Sequence, residues 1–258
     1  MTSLISISDL IHESWVFFKN DWKAITKRNA WLIPLIIVYI ALYSVGLATN
    51  HPLIVLLGVL ILMIGSILVT LNVSRYLLTK DGGATQATKD KSLVQLLLPA
   101  LLIGLLSALG VLGGSVLFLL PGIWFGVASS FAYFAYLEEG VTGAGALGRS
   151  MELVKGRWWK SLWRLVIPGL IFQIIIGIIS SAIFIVPVII AAIGGAGAIM
   201  SFSEGGSGAL GAASVPILII AALLFIVAMV INALLTLVAT GLMGVVQTKL
   251  FHSLKSTR

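Results

Sequence analysis

The fold of this chain is decided by residues 29–74, which read NAWLIPLIIVYIALYSVGLATNHPLIVLLGVLILMIGSILVTLNVS. The segment contains no Asp, Glu, Lys or Arg. A transmembrane helix needs about 20 apolar residues to cross about 30 Å of hydrocarbon, so the segment is long enough for two helices. His51 and Pro52 interrupt it, and proline disfavours a continuous helix. The segment therefore predicts a helical hairpin with spans near 29–48 and 53–73.

Further uncharged runs continue this pattern at 92–137, 165–203 and 205–248. Only 10% of the residues are charged and 59% are hydrophobic, whereas a soluble domain carries about 25% charged residues. We predict an all-α polytopic membrane helix bundle forming one membrane domain over 1–258. The Gly-, Ala- and Ser-rich stretch 194–214 predicts a flexible external loop. The six predicted spans lie near 29–48, 53–73, 94–116, 121–137, 165–193 and 215–246.

The basic residues are confined to one side of the predicted membrane arrangement. All 16 Lys and Arg residues lie in four segments, and the net charge is +7. By the positive-inside rule this side is cytoplasmic, as are both termini. We expect a multi-pass protein of the cytoplasmic (inner) membrane that contacts anionic lipids and no nucleic acid. The four segments are 1–28, 74–93, 138–164 and 247–258.

Residues 1–28 predict an amphipathic helix, because their apolar residues step by three or four positions. Glu13, Lys23 and Lys27 lie largely away from this stripe. The helix lies along the membrane surface with its tryptophan side at the acyl boundary, or it packs on the cytoplasmic end of the bundle, and both alternatives are open here. The stripe consists of Ile11, Trp15, Phe18, Trp22 and Ile25.

Residues 138–164 repeat the same pattern and predict a second amphipathic helix. Ser14 corresponds to Ser150, and Lys19 corresponds to Lys155. Because four spans separate the two copies, the internal repeat is parallel rather than inverted. The apolar positions Ile11, Trp15, Phe18 and Trp22 correspond to Leu147, Met151, Val154 and Trp158.

Tryptophan and lysine recur together on these two helices, as is typical of a lipid interface. Indole rings favour the headgroup level of a bilayer, and surface cations attract anionic headgroups. The candidate lipid-interface residues are Trp15, Lys19, Trp22, Lys23, Lys155, Trp158, Trp159 and Lys160.

The apolar bodies of the spans contain no Asp, Glu, Lys, Arg or His. Ion-coupled carriers and proton relays usually depend on such groups. The amides of Gln173 and Asn232 are typical of hydrogen bonding between helices. If a translocation pathway exists, these two residues are its candidates.

Three acids follow the fourth span, and they are the candidates for enzymatic chemistry. Glu138, Glu139 and Glu152 lack a paired histidine, a nucleophile and a metal-ligand spacing. Charge balance with Arg149 and the neighbouring basic residues explains them. We expect no catalytic residue, no metal site and no cofactor.

The fourth span is rich in aromatic residues. Such a set is typical of a lipid-facing or interfacial belt, and a ligand-stacking wall is the alternative. The residues are Trp124, Phe125, Phe131, Tyr133, Phe134 and Tyr136.

The stretch from Leu120 to Leu170 begins with Leu-Pro-Gly, continues with two acids at Glu138 and Glu139, and then contains a Trp-Trp-Lys motif at 158–160. With these motifs it resembles a large family of uncharacterised prokaryotic integral membrane proteins. That family includes the membrane domain attached, in some bacteria, to glycerophosphoryl diester phosphodiesterase. The resemblance implies a six-span inner-membrane protein with a link to cell-envelope lipid metabolism. It does not imply phosphodiesterase activity, since no soluble segment here could form a catalytic barrel. The matching residues are Leu120, Pro121, Gly122, Glu138, Glu139, Ala146, Ser150, Trp158, Trp159 and Lys160, with Ser14, Trp15, Lys19 and Trp22 nearer the N-terminus.

Two functions from different classes follow from these patterns. The first is a non-enzymatic scaffold or lipid-organising module of the cell envelope, acting with membrane lipids and with a homo-oligomer or a membrane-protein partner. The alternative is a transporter or channel for a small neutral or lipid-like solute.

Overall fold

Helices form the chain because lipid offers no partner for backbone N–H and C=O groups, and a helix satisfies them internally. The computed structural model describes residues 4–81, 88, 90–203 and 209–257. In these residues the helices are α1 (Ile7–Asn29), α2 (Leu32–Ala48), α3 (Pro52–Lys80), α4 (Leu93–Leu117), α5 (Leu119–Ser129), α6 (Ala132–Glu139), α7 (Gly143–Val154), α8 (Trp158–Ser203) and α9 (Ala209–Ser256).

Six helical segments of the described residues are long and apolar enough to cross a membrane. Each contains one of the six predicted spans, so the predicted all-α helix bundle is confirmed. In the isolated chain the most apolar windows of five of these segments bury at most 17% of their residues, whereas the window of the fourth span buries 50%. Exposed apolar side chains suit contact with hydrocarbon, and the chain is a multi-pass membrane protein.

The fourth predicted span, 121–137, is not one continuous helix. It consists of α5 and α6, which are interrupted at Ser130 and Phe131. The interruption is bridged by α7, where the buried Ser150 hydroxyl accepts a hydrogen bond from the Phe131 amide (3.1 Å) and donates one to the Ala128 carbonyl (2.6 Å). One side chain therefore satisfies a donor and an acceptor that the broken helix leaves over.

The prediction of one amphipathic helix over 138–164 is wrong. The segment holds the end of α6, all of α7 and the start of α8. Two glycines in left-handed conformation separate these helices, Gly140 with φ 73° and Gly156 with φ 76°. Glycine adopts this conformation without the steric cost that a Cβ atom adds, and it commonly ends a helix.

The predicted external loop over 194–214 is also mostly wrong. Helix α8 continues to Ser203, and α9 begins at Ala209. Both helices therefore extend beyond the predicted spans, because apolar residues continue among the glycines and alanines of this stretch. The remainder of the predicted loop, 204–208, lies outside the described residues.

The chain divides into two compact units. Unit 1 comprises residues 1–169 and 240–258, and unit 2 comprises residues 170–239.

The core of unit 1 contains three packed phenylalanines. The Phe251 ring lies 5.7 Å from the Phe134 ring and 6.4 Å from the Phe131 ring, measured between centroids. Phe131, Phe134 and Tyr136 are all buried. For these three residues the predicted lipid-facing belt is wrong, because α7 and the last turns of α9 cover the end of the fourth span. Trp124 is about half exposed, at 49%.

Unit 2 consists of α8 and α9 segments that pair in antiparallel fashion. Ser180 bonds Asn232, the Phe184 ring packs at 5.3 Å on the Phe225 ring, and Gly194 lies against Ile217. As the residue number rises along α8, the number of the contacting residue on α9 falls, so the two segments run antiparallel.

Helix α1 begins at Ser6, whose side chain accepts a hydrogen bond from the Asp9 amide, as is typical of an N-cap. Its buried face shares only Phe18 and Ile25 with the predicted apolar stripe, while Trp15 and Trp22 are about half exposed. The buried residues are Leu10, Ser14, Phe18, Ile25 and Asn29.

Helix α1 packs on the rest of unit 1. A Cβ atom at Gly241 of α9 would lie 2.8 Å from Ile25 Cγ2, and the Tyr76 hydroxyl of α3 bonds Asp21 at 3.0 Å. The buried face of α1 therefore agrees with the alternative in which this helix packs on the end of the bundle. Trp15 and Trp22 lie beside this buried face and are about half exposed.

The serines at the two corresponding repeat positions provide a matched test. Ser14→Ala removes a buried hydroxyl that has no hydrogen-bond partner among the described residues, whereas Ser150→Ala orphans the Phe131 amide and the Ala128 carbonyl. We expect Ser150→Ala to lower the free energy of unfolding by about 1–3 kcal/mol and Ser14→Ala to leave it unchanged or raised. Thermal unfolding of both variants in one detergent checks this, and equal losses would contradict the bridging role of Ser150.

Candidate functional site

Seven charged residues of unit 1 form an ion-pair cluster at the ends of four helices. Asp81 directly follows α3, Glu138 and Glu139 end α6, and Arg149 lies on α7. The last turns of α9 contribute residues at a spacing of three, which places them along one side of a helix. These residues are Lys249, His252 and Lys255.

His252 is the centre of this cluster. Its Nδ1 lies 2.7 Å from Asp81 Oδ2, and its Nε2 lies 3.0 Å from Glu138 Oε2. An imidazole ring donates through both nitrogens only when it is protonated. The hydrogen bonds to Asp81 and then Glu138 raise the pKa of His252 from 6.5 to about 9, against the opposing effect of burial.

The lysines complete the pairing of both carboxylates. Lys249 Nζ lies 2.9 Å from Asp81 Oδ1, while Lys255 bonds Glu138 and lies 3.7 Å from Glu139. The hydrogen bond from His252 is the largest cause that lowers the pKa of Asp81 to about 2. These groups lie outside the predicted apolar spans, which end at residues 73, 137 and 246.

Arg149 neutralises the remaining acids. Its Nε and Nη2 atoms contact the two Glu139 oxygens at 2.6 and 3.2 Å, and its Nη1 lies 3.3 Å from Glu152. Arg149 therefore balances the charge of these acids as the sequence predicts. Arg157, a basic residue of the same segment, instead bonds Thr257. The cluster thereby joins the C-terminal helix to α3, α6 and α7.

Sequence reasoning missed the role of His252, because both of its acidic partners, Asp81 and Glu138, lie more than a hundred residues away in the chain. The spacing of Lys249, His252 and Lys255 was the available signal. A basic stripe at the end of an apolar helix needs acidic partners or headgroups, and Asp81 and Glu138 end two other spans.

The first set of predicted interface residues lies on the exposed side of α1. The side chains of Trp15 and Trp22 are 52% and 47% exposed. Lys23 Nζ lies 5.8 Å from the centre of the Trp22 ring, and Lys19 is exposed. The structure therefore leaves these four residues at the surface of α1.

The second set of predicted interface residues lies between the end of α7 and the first turn of α8. Lys155 and Lys160 are exposed, and Trp159 is 64% exposed. Trp158 packs edge-on against Trp159 with ring centroids 4.8 Å apart, and its Nε1 donates to the Trp124 carbonyl at 3.2 Å.

The element that carries the second set also touches the segment before α1. Arg164 Nε of α8 donates to the Ile5 carbonyl at 2.6 Å, and the Ile5 amide donates to Ser253 of α9 at 3.1 Å. The helices that carry the two sets are thus joined near their ends.

Two adjoining depressions lie beside the second set, and we name them together the tryptophan groove. They share Trp124 and Trp158 and have volumes of about 580 and about 410 Å³. The larger is bordered by Leu120, Pro121, Trp124, Trp158 and Trp159. The smaller is bordered by Trp124, Ala128, Met151, Glu152, Val154, Lys155, Gly156 and Trp158.

The two candidate pathway residues both lie in unit 2. Asn232 Nδ2 donates to Ser180 Oγ at 2.6 Å, which links α9 to α8. Gln173 of α8 is exposed. The Asn232 amide is therefore engaged in helix pairing, the role that is typical of such residues in spans.

No family model, curated protein or solved structure matches this chain. Any function is therefore argued from the residues themselves.

The pKa values of the ion-pair cluster predict a dependence of stability on pH. Because the folded state raises the pKa of His252, its stabilisation is complete below pH 6.5 and is lost as the pH rises towards about 9. Asp81 acts in the opposite direction, since its contribution is complete above pH 3.8 and is lost as the pH falls towards about 2.

We expect the unfolding temperature in detergent to decline between pH 6.5 and 9. In His252→Gln this decline should be much smaller, whereas His12→Gln, at an exposed position of α1 outside the cluster, should behave like the wild type. The same decline in His252→Gln and in the wild type would contradict a protonated His252.

Proposed function

We propose that this chain is a non-enzymatic, lipid-organising module of the cytoplasmic (inner) membrane, with its basic end at the cytoplasmic leaflet. One observation carries the proposal, namely that unit 1 contains two separate classes of cation. Arg149, Lys249 and Lys255 form ion pairs with acids of the cluster. The lysines of the two interface sets form none with any described residue, and these are Lys19, Lys23, Lys155 and Lys160.

The free lysines supply attraction to anionic headgroups. Each cation near an anionic leaflet contributes about 1 kcal/mol. A lysine that already pairs with a buried carboxylate contributes less, because the field of the pair is largely cancelled.

The exposed tryptophans supply the second part of a lipid interface. Trp15 and Trp22 lie beside Lys19 and Lys23 on α1, and Trp159 lies beside Lys160 on α8. Indole rings favour the interfacial region of a bilayer, where their apolar body and their N–H group are both accommodated. The combination of free cation and exposed indole, present twice, supports lipid organisation over a purely internal role.

The scaffold aspect of the proposal rests on unit 2. Its α8 and α9 segments expose apolar side chains on most sides, and such surfaces contact lipid, a second copy or another membrane protein. The hydrogen bond of Asn232 to Ser180 is a pairing contact, so it adds no support to a solute pathway.

Removing the four free lysines should reduce the preference for anionic lipid. In vesicles of mixed anionic and neutral lipid, we expect Lys→Gln at all four positions to lower the relative association of a spin-labelled anionic lipid, because the attraction is electrostatic. Lys→Arg at the same positions is the matched control and should retain the preference. An equal preference in both quadruple variants would overturn the proposal.

The proposed orientation has an independent test. The chain contains no cysteine, so cysteines introduced singly at the exposed positions Ser8 and Ser256 are labelled without background. We expect a membrane-impermeant maleimide to label both in inside-out vesicles and neither in right-side-out vesicles. The reverse pattern would place the basic end outside.

A further inference from the structure

We propose that the tryptophan groove binds one phospholipid whose headgroup carries a phosphate and a primary ammonium group. This inference rests on the proposed lipid-organising function and names the ligand of one part of its surface. In this arrangement the phosphate contacts Lys155, the ammonium contacts Glu152 and the indole rings, and an acyl chain follows the apolar end of the groove.

The shape of the groove matches an amphipathic ligand. Its larger part is bordered by Leu120, Pro121 and three indoles, and its smaller part contains Glu152 and Lys155. Trp124 and Trp158 border both parts. A molecule that fills both therefore has an apolar section and a charged section, and the volumes of both parts lie in the usual range for ligand sites.

The charges at the polar end favour a zwitterion over a simple anion. Lys155 is exposed and makes no ion pair among the described residues. Glu152, three positions earlier, has a side chain that is 58% exposed, and its Oε2 pairs with Arg149 Nη1 at 3.3 Å. The border of the groove therefore carries both signs of charge, and a zwitterionic headgroup matches both, with its phosphate at Lys155 and its ammonium at Glu152.

The indoles strengthen the case for an ammonium. A cation over an indole face within about 6 Å of the ring is attracted by its quadrupole. The hydrogen bond from Trp158 to the Trp124 carbonyl and the edge contact with Trp159 fix the Trp158 ring. A ring held in place binds with a smaller loss of conformational freedom.

The backbone presents the lysine at this border. Gly156 adopts φ 76°, and its turn separates Lys155 from the first turn of α8. The lysine therefore lies at the end of the groove and not on the continuous surface of a helix.

Native mass spectrometry of the full chain in mild detergent tests the proposal. The probes are phosphatidylethanolamine, phosphatidylcholine and phosphatidylglycerol with identical short acyl chains. We expect one phosphatidylethanolamine per chain, bound about tenfold more tightly than the other two, because among the three lipids only it has a positively charged N–H group that donates hydrogen bonds to a carboxylate.

Substitutions assign that binding to the groove. Glu152→Gln should abolish the preference for phosphatidylethanolamine over phosphatidylcholine, and Lys155→Gln should weaken binding of all three lipids. The matched controls are Glu13→Gln and Lys27→Gln at exposed positions of α1, which should change neither. Thermal unfolding of each variant separates loss of binding from loss of fold.

The absence of a stoichiometric lipid, equal binding of the three lipids, or equal effects of Glu152→Gln and Glu13→Gln would each overturn the proposal. A dimer that forms in place of lipid binding, and is lost in Trp158→Leu, would likewise overturn it and assign the groove to a second copy. The two proposals fail separately, because Glu152→Gln leaves the free lysines intact. If the groove binds no lipid, the preference of the whole chain for anionic lipid is unaffected. If the groove binds phosphatidylethanolamine but the chain shows no preference for anionic lipid, only the proposed function is overturned.

Discussion

Every interruption of a membrane helix needs a hydrogen-bond partner from the protein, and in this chain the Ser150 hydroxyl is that partner. The fourth span breaks at Ser130 and Phe131, and Ser150 bonds the Phe131 amide and the Ala128 carbonyl, which the break leaves without a partner within the helix. Helix α7 must therefore pack against the fourth span. This packing places Arg149 beside Glu139 and brings the start of α8 to Trp124.

The charges of unit 1 are sorted by the same packing. The ends of α3 and α6 bring Asp81 and Glu138 to opposite sides of the His252 ring, and the lysines on the same side of α9 neutralise both. Partly buried charges are costly unless they are paired, which explains why the acids gather with a subset of the cations. The lysines beside the tryptophans are left with solvent or headgroups as their surroundings.

The predicted repeat gains a physical meaning from its two serines. Ser14 and Ser150 are both fully buried, yet only Ser150 has hydrogen-bond partners among the described residues. The buried Ser14 hydroxyl fills space in α1 without a hydrogen-bonding role among the described residues. The two segments thus share a sequence pattern while they differ in what the pattern does.

The sequence by itself determined the number of apolar helices and indicated which tryptophans and lysines are the candidates for a lipid interface. Hydropathy suffices there, because a span must be apolar over its whole length and an interfacial indole or lysine needs no particular partner. Only the tertiary structure decided the break in the fourth span, the end of α7 before Trp158, the burial of Phe131 and Phe134, and the pairing of His252 with Asp81 and Glu138. Each of these depends on a contact between residues far apart in the chain, and neither composition nor periodicity carries information about such contacts.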